Sequence, residues 1–216
     1  MSILNVLLSP DRLLIAADTL TEDSANGLHS MGSNLLLIPH HNAALATRGP
    51  VDLFLDVYDL CLQKSYRSHF SISSLAREIG PMMDDLWPKH AKTADKVGRQ
   101  VNQMRTKIVL GGWSRSERRM VATAYSKQST ATPTLVQPLI DSFASPRAPL
   151  RGSEQSFDPA SVFGASVLQA RYVNMKHGRQ VAGGSILVAQ LRERESRINE
   201  WDFVQPELTW PSSRPR

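Results

Sequence analysis

Short apolar runs broken by turn-forming residues open the chain. Ile3 to Leu8 and Leu13 to Ala17 flank Ser9-Pro10-Asp11-Arg12, where proline suits the second position of a type I turn, so the pattern predicts an N-terminal β-hairpin. A polar loop from Thr21 to Ser30 follows, with an Asn26-Gly27 turn signal. Two more apolar runs, Asn34 to Ile38 and Ala43 to Thr47, joined at Pro39-His40-His41-Asn42, predict a second hairpin.

Gly49-Pro50 then opens a helix, with Asp52 placed to complement its dipole, running to about Arg67. Its apolar residues between Val51 and Leu62 cover more than one face, which predicts burial against both a sheet and another chain. A second helix is expected from Ser71, as cap, to about Trp87, where Pro88 ends or kinks it; the polar stretch Lys89 to Gln103 is a candidate extension. Lys107 to Trp113 and Met120 to Tyr125 read as strands around a basic turn, with Leu135 to Ile140 as a further candidate strand. A loop rich in Ser, Pro, Arg and Gly spans Ala144 to Phe157. A helix from Asp158-Pro159 to Met175, a strand from Ile186 to Leu191 and a candidate last strand from Arg197 to Phe203 follow. The order of hairpins, paired helices, hairpin, helix and terminal strands predicts an α+β fold, two antiparallel sheets covered by helices on their outer faces. One domain over residues 1–204 is expected, with a Pro-rich tail over 205–216.

Composition adds limits. A chain of 216 residues, 41% hydrophobic and 21% charged, is long enough to bury one substantial core. No apolar run approaches the roughly 20 residues that span a bilayer, and the amino terminus has no basic region of the signal-peptide kind. With one cysteine, Cys61, in an apolar segment, the chain reads as cytoplasmic and reduced, and Cys61 as a packing residue. His40 and His41 lack a third ligand at metal-site spacing and read as polar turn residues. The net charge of +5 raises nucleic acid, but the basic residues are dispersed among acids. The densest runs, Arg115-Ser116-Glu117-Arg118-Arg119 and Arg192 to Arg197, fit a solvated surface at least as well as phosphate binding. Neither nucleic acid nor a membrane is expected as a partner.

Four segments resemble a proteasome β-type subunit and the bacterial proteasome-like peptidases of the N-terminal-nucleophile hydrolase superfamily. They are Leu13-Leu14-Ile15-Ala16-Ala17-Asp18-Thr19, the strand at Asn34 to Ile38, Ala46-Thr47-Arg48-Gly49-Pro50-Val51-Asp52, and Ile108 to Trp113 with its Gly111-Gly112 pair. The resemblance implies a four-layer αββα sandwich. It also implies a homo-oligomeric ring, an unfolding ATPase as candidate partner and, where the site is active, unfolded protein or peptide as substrate. It calls for no cofactor.

In such proteins the first mature residue is the nucleophile, an Asp lies about sixteen positions on, and a Lys about sixteen beyond that. Counting from Asp18 places Ser2 at the nucleophile, freed by removal of Met1, with its α-amine as general base. The Lys position holds Asn34, which supplies no field to lower the hydroxyl pKa. Farther on, an Asp and a Ser of the family pattern are replaced in Arg179-Gln180-Val181-Ala182-Gly183-Gly184. The Arg48-Gly49 step resembles the one that offers a backbone N–H to an oxyanion. The implied site thus comprises Ser2, Asp18, Asn34, Arg48, Gly49 and Arg179. A buried Asp18 needs a partner, and a salt bridge from Arg179 or, failing that, Arg48 is expected, with Asn34 bonded into the cluster; the alternative leaves Arg179 in solvent. Three functions stay open: a serine-type peptidase or amidase, a non-catalytic ring subunit, and a binding module unrelated to proteolysis.

Overall fold

Period-two alternation along the first hairpin sorts its side chains onto two faces. In the computed structural model, which describes residues 2–22, 28–98, 104–150 and 157–203, strands β1 (Leu4–Leu8) and β2 (Arg12–Asp18) form that hairpin. Leu4, Val6, Leu8, Leu13, Ile15 and Ala17 point into a core between two sheets, while Leu7, Leu14 and Ala16 point the other way. The inner set meets Leu35 of β5 (Leu35–Ile38), Ala44 and Ala46 of β6 (Ala43–Arg48), Val109 of β7 (Thr106–Ser114), and Ala122 and Ala124 of β8 (Arg119–Lys127).

Two short strands, β3 (Leu20–Glu22) and β4 (His29–Met31), pair within the expected polar loop; its Asn26-Gly27 signal lies outside the described residues. With β9 (Leu135–Pro138), the second sheet runs β5-β6-β7-β8-β9. The first runs β10-β1-β2-β11-β12, using β10 (Phe143–Ser145), β11 (Ser185–Arg192) and β12 (Glu195–Asp202). All pairings within them are antiparallel. Strand β10 falls inside the segment expected to be loop, and its pairing with β1 sets Ser145 opposite Leu4.

Helices α1 (Val51–Ser65) and α2 (Ile72–Lys96) cover the second sheet, and α3 (Pro159–His177) covers the first, completing four layers. Ser71 caps α2 by accepting the Ser74 N–H at 3.0 Å. Pro88 does not end α2, contrary to one reading of the sequence, and neither does Pro81. Both prolines are exposed and seven residues apart, so the carbonyls they leave without a donor belong to Arg77 and Asp84 on the outward side, within reach of water. The buried stripe of Leu75, Ile79, Met83 and Trp87 carries the helix through. On α1, Leu53, Phe54, Val57 and Cys61 are buried within this chain, beside α2 and the sheet, whereas Leu55 stays 47% exposed. Among the described residues no helix is long and apolar enough to cross a membrane. The segment 205–216, expected as a tail, lies outside the described residues.

Gly111-Gly112 marks a double close approach. A Cβ at Gly111 would stand 2.3 Å from Leu13 Cδ2 of the facing sheet. One at Gly112 would stand 2.9 Å from both Asn42 O and Ala43 Cβ, on the helix side. The pair lets β7 sit tightly between its neighbours.

Candidate functional site

Asp18 ends β2 with a fully buried carboxyl. Its Oδ1 accepts the Ile3 N–H at 2.8 Å and its Oδ2 accepts the Gly183 N–H at 3.0 Å. Burial pushes the carboxyl up to about 7, against the pull of the two N–H donors and of the Arg48 guanidinium. Among the described residues no Lys or Arg nitrogen comes within 4.0 Å of the Asp18 carboxylate.

The expected salt bridge is therefore not formed. Arg179 has a side chain 56% exposed, and its Nη1 donates to Glu22 Oε1 at 2.8 Å. The cause is local: Asn174 of α3 accepts the N–H groups of Val181 and Ala182 at 2.7 and 3.0 Å and donates to Ala182 O at 2.9 Å. Those bonds fold the loop so that the Gly183 backbone, not the Arg179 side chain, meets Asp18. Arg48 takes other partners. Its Nε donates to Ser2 O at 2.6 Å and its Nη1 to Ser145 Oγ at 2.7 Å.

Asn34 does join the cluster, but through the main chain: its Nδ2 donates to Asp18 O at 2.7 Å. Its buried Oδ1 has no partner among the described residues. The Thr47 N–H in turn donates to Asn34 O at 2.8 Å, tying the second hairpin to the site. Ser2 is 8% exposed, and its hydroxyl makes no hydrogen bond among the described residues. Gly49 follows Arg48 against Thr106, where a Cβ would lie 2.9 Å from Thr106 Oγ1 and 3.0 Å from its Cα. Five of the six expected residues thus surround the start of β1, and Arg179 does not.

The Gly183-Gly184 pair was expected to serve close backbone approach, whereas the bonding of Thr19 and the Asn5–Gln169 link escaped sequence reasoning. Thr19 accepts the Ser185 N–H through Oγ1 at 2.8 Å, and its own N–H donates to Ser185 O at 2.9 Å. Gly184 beside it, at φ +76°, has no room for a Cβ, which would sit 2.6 Å from Thr19 Oγ1. Behind Ser145, Gln169 of α3 donates to Pro146 O at 2.6 Å and accepts from Asn5 Nδ2 at 2.6 Å, linking α3 to β1 and β10. A polar Asn5 inside the apolar run Ile3 to Leu8 was the available signal for that network.

Other chemistry raised by the sequence lies elsewhere. Cys61 is fully buried in the core under α1, and burial pushes its thiol up to about 12, far from a thiolate nucleophile at neutral pH. His40 and His41 sit at the end of α1, their Nε2 atoms 2.8 Å from Ser65 Oγ and 2.6 Å from Ser65 O.

The fold itself, two antiparallel sheets covered by helices, recurs in solved structures. The fold is that of Anbu. Anbu described as an ancestral β-subunit, from Yersinia bercovieri, superposes with a TM-score of 0.67 at 11% identity, over 95% of this chain and 89% of that one. Anbu from Hyphomicrobium sp. strain MC1 gives 0.61 at 13% identity, and its Gly-1 mutant 0.63 at 12%, with the same coverage. No protein-family model matches this chain, and no curated protein is matched to it by sequence. At these identities the likeness to Anbu is one of fold alone.

Proposed function

We propose that this chain is a proteasome-like ring subunit in which the ancestral nucleophile site is kept as structure rather than as a catalyst. The observation that carries this reading is the partnership of Asp18. Both carboxyl oxygens are engaged by backbone N–H groups, no ammonium or guanidinium nitrogen of the described residues pairs with it, and the position that would hold a lysine holds an amide bonded to the Asp18 backbone. With no lysine at position 34 and with Arg48 bonded to the Ser2 carbonyl and to Ser145, no cation is committed to the Ser2 hydroxyl, which keeps the ordinary weak acidity of an alcohol and leaves an α-amine base little to draw on.

The Arg48 guanidinium supports a second reading. Its field bears on Asp18, and it holds Ser2 by the carbonyl next to Gly49, whose backbone is free of any side chain. In that reading Ser2, released from Met1, attacks a peptide or amide carbonyl. The α-amine takes the hydroxyl proton, Asp18 orients the amine, and the Gly49 N–H meets the oxyanion.

Intact mass and labelling by a serine-reactive probe separate the two. The structural reading expects no label at Ser2, whether or not Met1 is removed, and unchanged assembly in Ser2→Ala. Stoichiometric labelling that Ser2→Ala removes would establish the hydrolase. Soluble ring assembly, with an unfolding ATPase as a candidate partner and unfolded protein or peptide as substrate of the active form, belongs to the same proposal.

A further inference from the structure

Three turns converge at the end of the sandwich away from Ser2. Antiparallel register sets Leu8 opposite Leu13, Ser114 opposite Arg119, and Arg192 opposite both Glu195 and Arg12. The Met120 N–H donates to Pro10 O at 2.8 Å, and Asn42 Nδ2 donates to Arg192 O, so the three turns are fastened to one another and to the second hairpin. Asp18 lies at the far end of β2, six residues from Arg12, which at strand rise is about 20 Å away.

Between the β7–β8 and β11–β12 turns lies a cavity of about 640 Å³, lined by Trp113, Arg115, Arg118, Glu193 and Arg194. It is an open depression, with Arg115, Arg118, Glu193 and Arg194 all exposed around the half-buried Trp113. Three guanidinium groups face one carboxylate. Arg115, Arg118 and Arg194 make no hydrogen bond or ion pair among the described residues, whereas Arg67, Arg179 and Arg197 each lie against a glutamate. All three are exposed and solvated, so none is committed to a protein partner and each is free to meet an anion. The fork of a guanidinium matches phosphate oxygens in pairs.

Trp113 supplies the other wall. Half-buried, it packs on the core between the sheets, so the ring that borders the cavity is held rigidly. A fixed indole beside several guanidiniums fits a ligand with a planar ring and several negative charges. Glu193 offers an acceptor for hydroxyl hydrogens. A long nucleic acid needs a continuous basic track, and Asp11, Glu117 and Glu195 interrupt one in these same turns.

We propose that this cavity binds a nucleoside polyphosphate, with the phosphates on Arg115, Arg118 and Arg194, the base against Trp113, and a ribose hydroxyl donating to Glu193. The site lies apart from Ser2 and does not depend on whether Ser2 reacts.

Isothermal titration of the full-length protein with ATP, ADP, AMP, adenosine, inorganic tripolyphosphate and oligothymidylates of increasing length tests it. The expected order is ATP, then ADP, then AMP, with adenosine silent and tripolyphosphate weaker than ATP. Arg118→Ala and Arg194→Ala, both at exposed positions, should each weaken ATP binding by about tenfold or more, the loss expected for a charged hydrogen bond, with the circular dichroism spectrum unchanged. Absence of saturable ATP binding up to millimolar concentration, or ATP binding untouched by both substitutions, would overturn the site. Tripolyphosphate binding as tightly as ATP would overturn the placement of the base. Affinity that climbs with oligonucleotide length past that of ATP would replace the nucleotide with nucleic acid.

Discussion

Asp18 holds its place by geometry rather than by charge pairing, and this has a pH signature. Its folded value of about 7 stands above the ordinary 3.8, so its contribution to stability is fully present below about pH 4 and is lost as pH rises toward 7. Above that the loss levels off, at an order of a few kcal/mol for a shift of about three units. Urea unfolding between pH 4 and 8 should show this decline, and Asp18→Asn should flatten it, because an amide does not titrate there. The variant should also be less stable at pH 5, since the amide NH2 confronts a backbone N–H where an acceptor stood. Asn34→Lys should move the decline to lower pH, because an ammonium beside Asp18 favours the carboxylate; an unmoved curve would mean that the lysine does not reach it. The family resemblance, counted along the chain from Asp18, pointed to Ser2, Asp18, Asn34, Arg48 and Gly49, and the structure gathers them because each sits near the end of a strand or hairpin. Of the two outcomes open for Arg179, the structure has the one in solvent, for a reason no spacing reveals: Asn174, five residues earlier on α3, decides which atoms of the loop reach Asp18.

Element boundaries were legible where turn or cap signals framed them, as in the apolar runs of both hairpins at the start and at Asp158-Pro159 before α3, whose apolar residues carry little 3.6-residue period. The short β3–β4 pair and β10 were not, since three-residue strands carry too little pattern to separate from loop. Proline in α2 misled for a different reason: it weakens a helix locally, whereas the buried stripe through Trp87 acts over its whole length. Pro88→Ala should therefore keep the helix and raise the thermal midpoint, returning up to about 3 kcal/mol of lost helix propensity. The glycine pair of β7 gives a graded test. Gly111→Ala meets the mobile end of Leu13, whereas Gly112→Ala meets backbone at Asn42, so Gly112→Ala should be the more destabilising of the two, by about 1–3 kcal/mol against wild type. Equal losses in denaturant melts would contradict that ordering.

For the whole molecule, the layers bring Ser2, Asp18, Asn34 and Arg48 together at one end of the sandwich. They also leave Leu55 exposed on α1, the helix whose apolar surface exceeds what α2 and the sheet cover. If α1 lies between subunits, Leu55→Glu should convert a ring to smaller species in sedimentation velocity at micromolar concentration, while the far-ultraviolet spectrum stays that of the folded chain. A wild-type monomer under the same conditions would remove the ring from the proposal. The most direct measurement of whether the site is silent, as proposed, is the difference in peptide and amide hydrolysis between wild type and Ser2→Ala, both freed of Met1 and assembled alike, over a broad substrate panel at pH 7–8. The expected difference is zero within error; turnover by the wild type that vanishes in Ser2→Ala would contradict it and make Ser2 a working nucleophile.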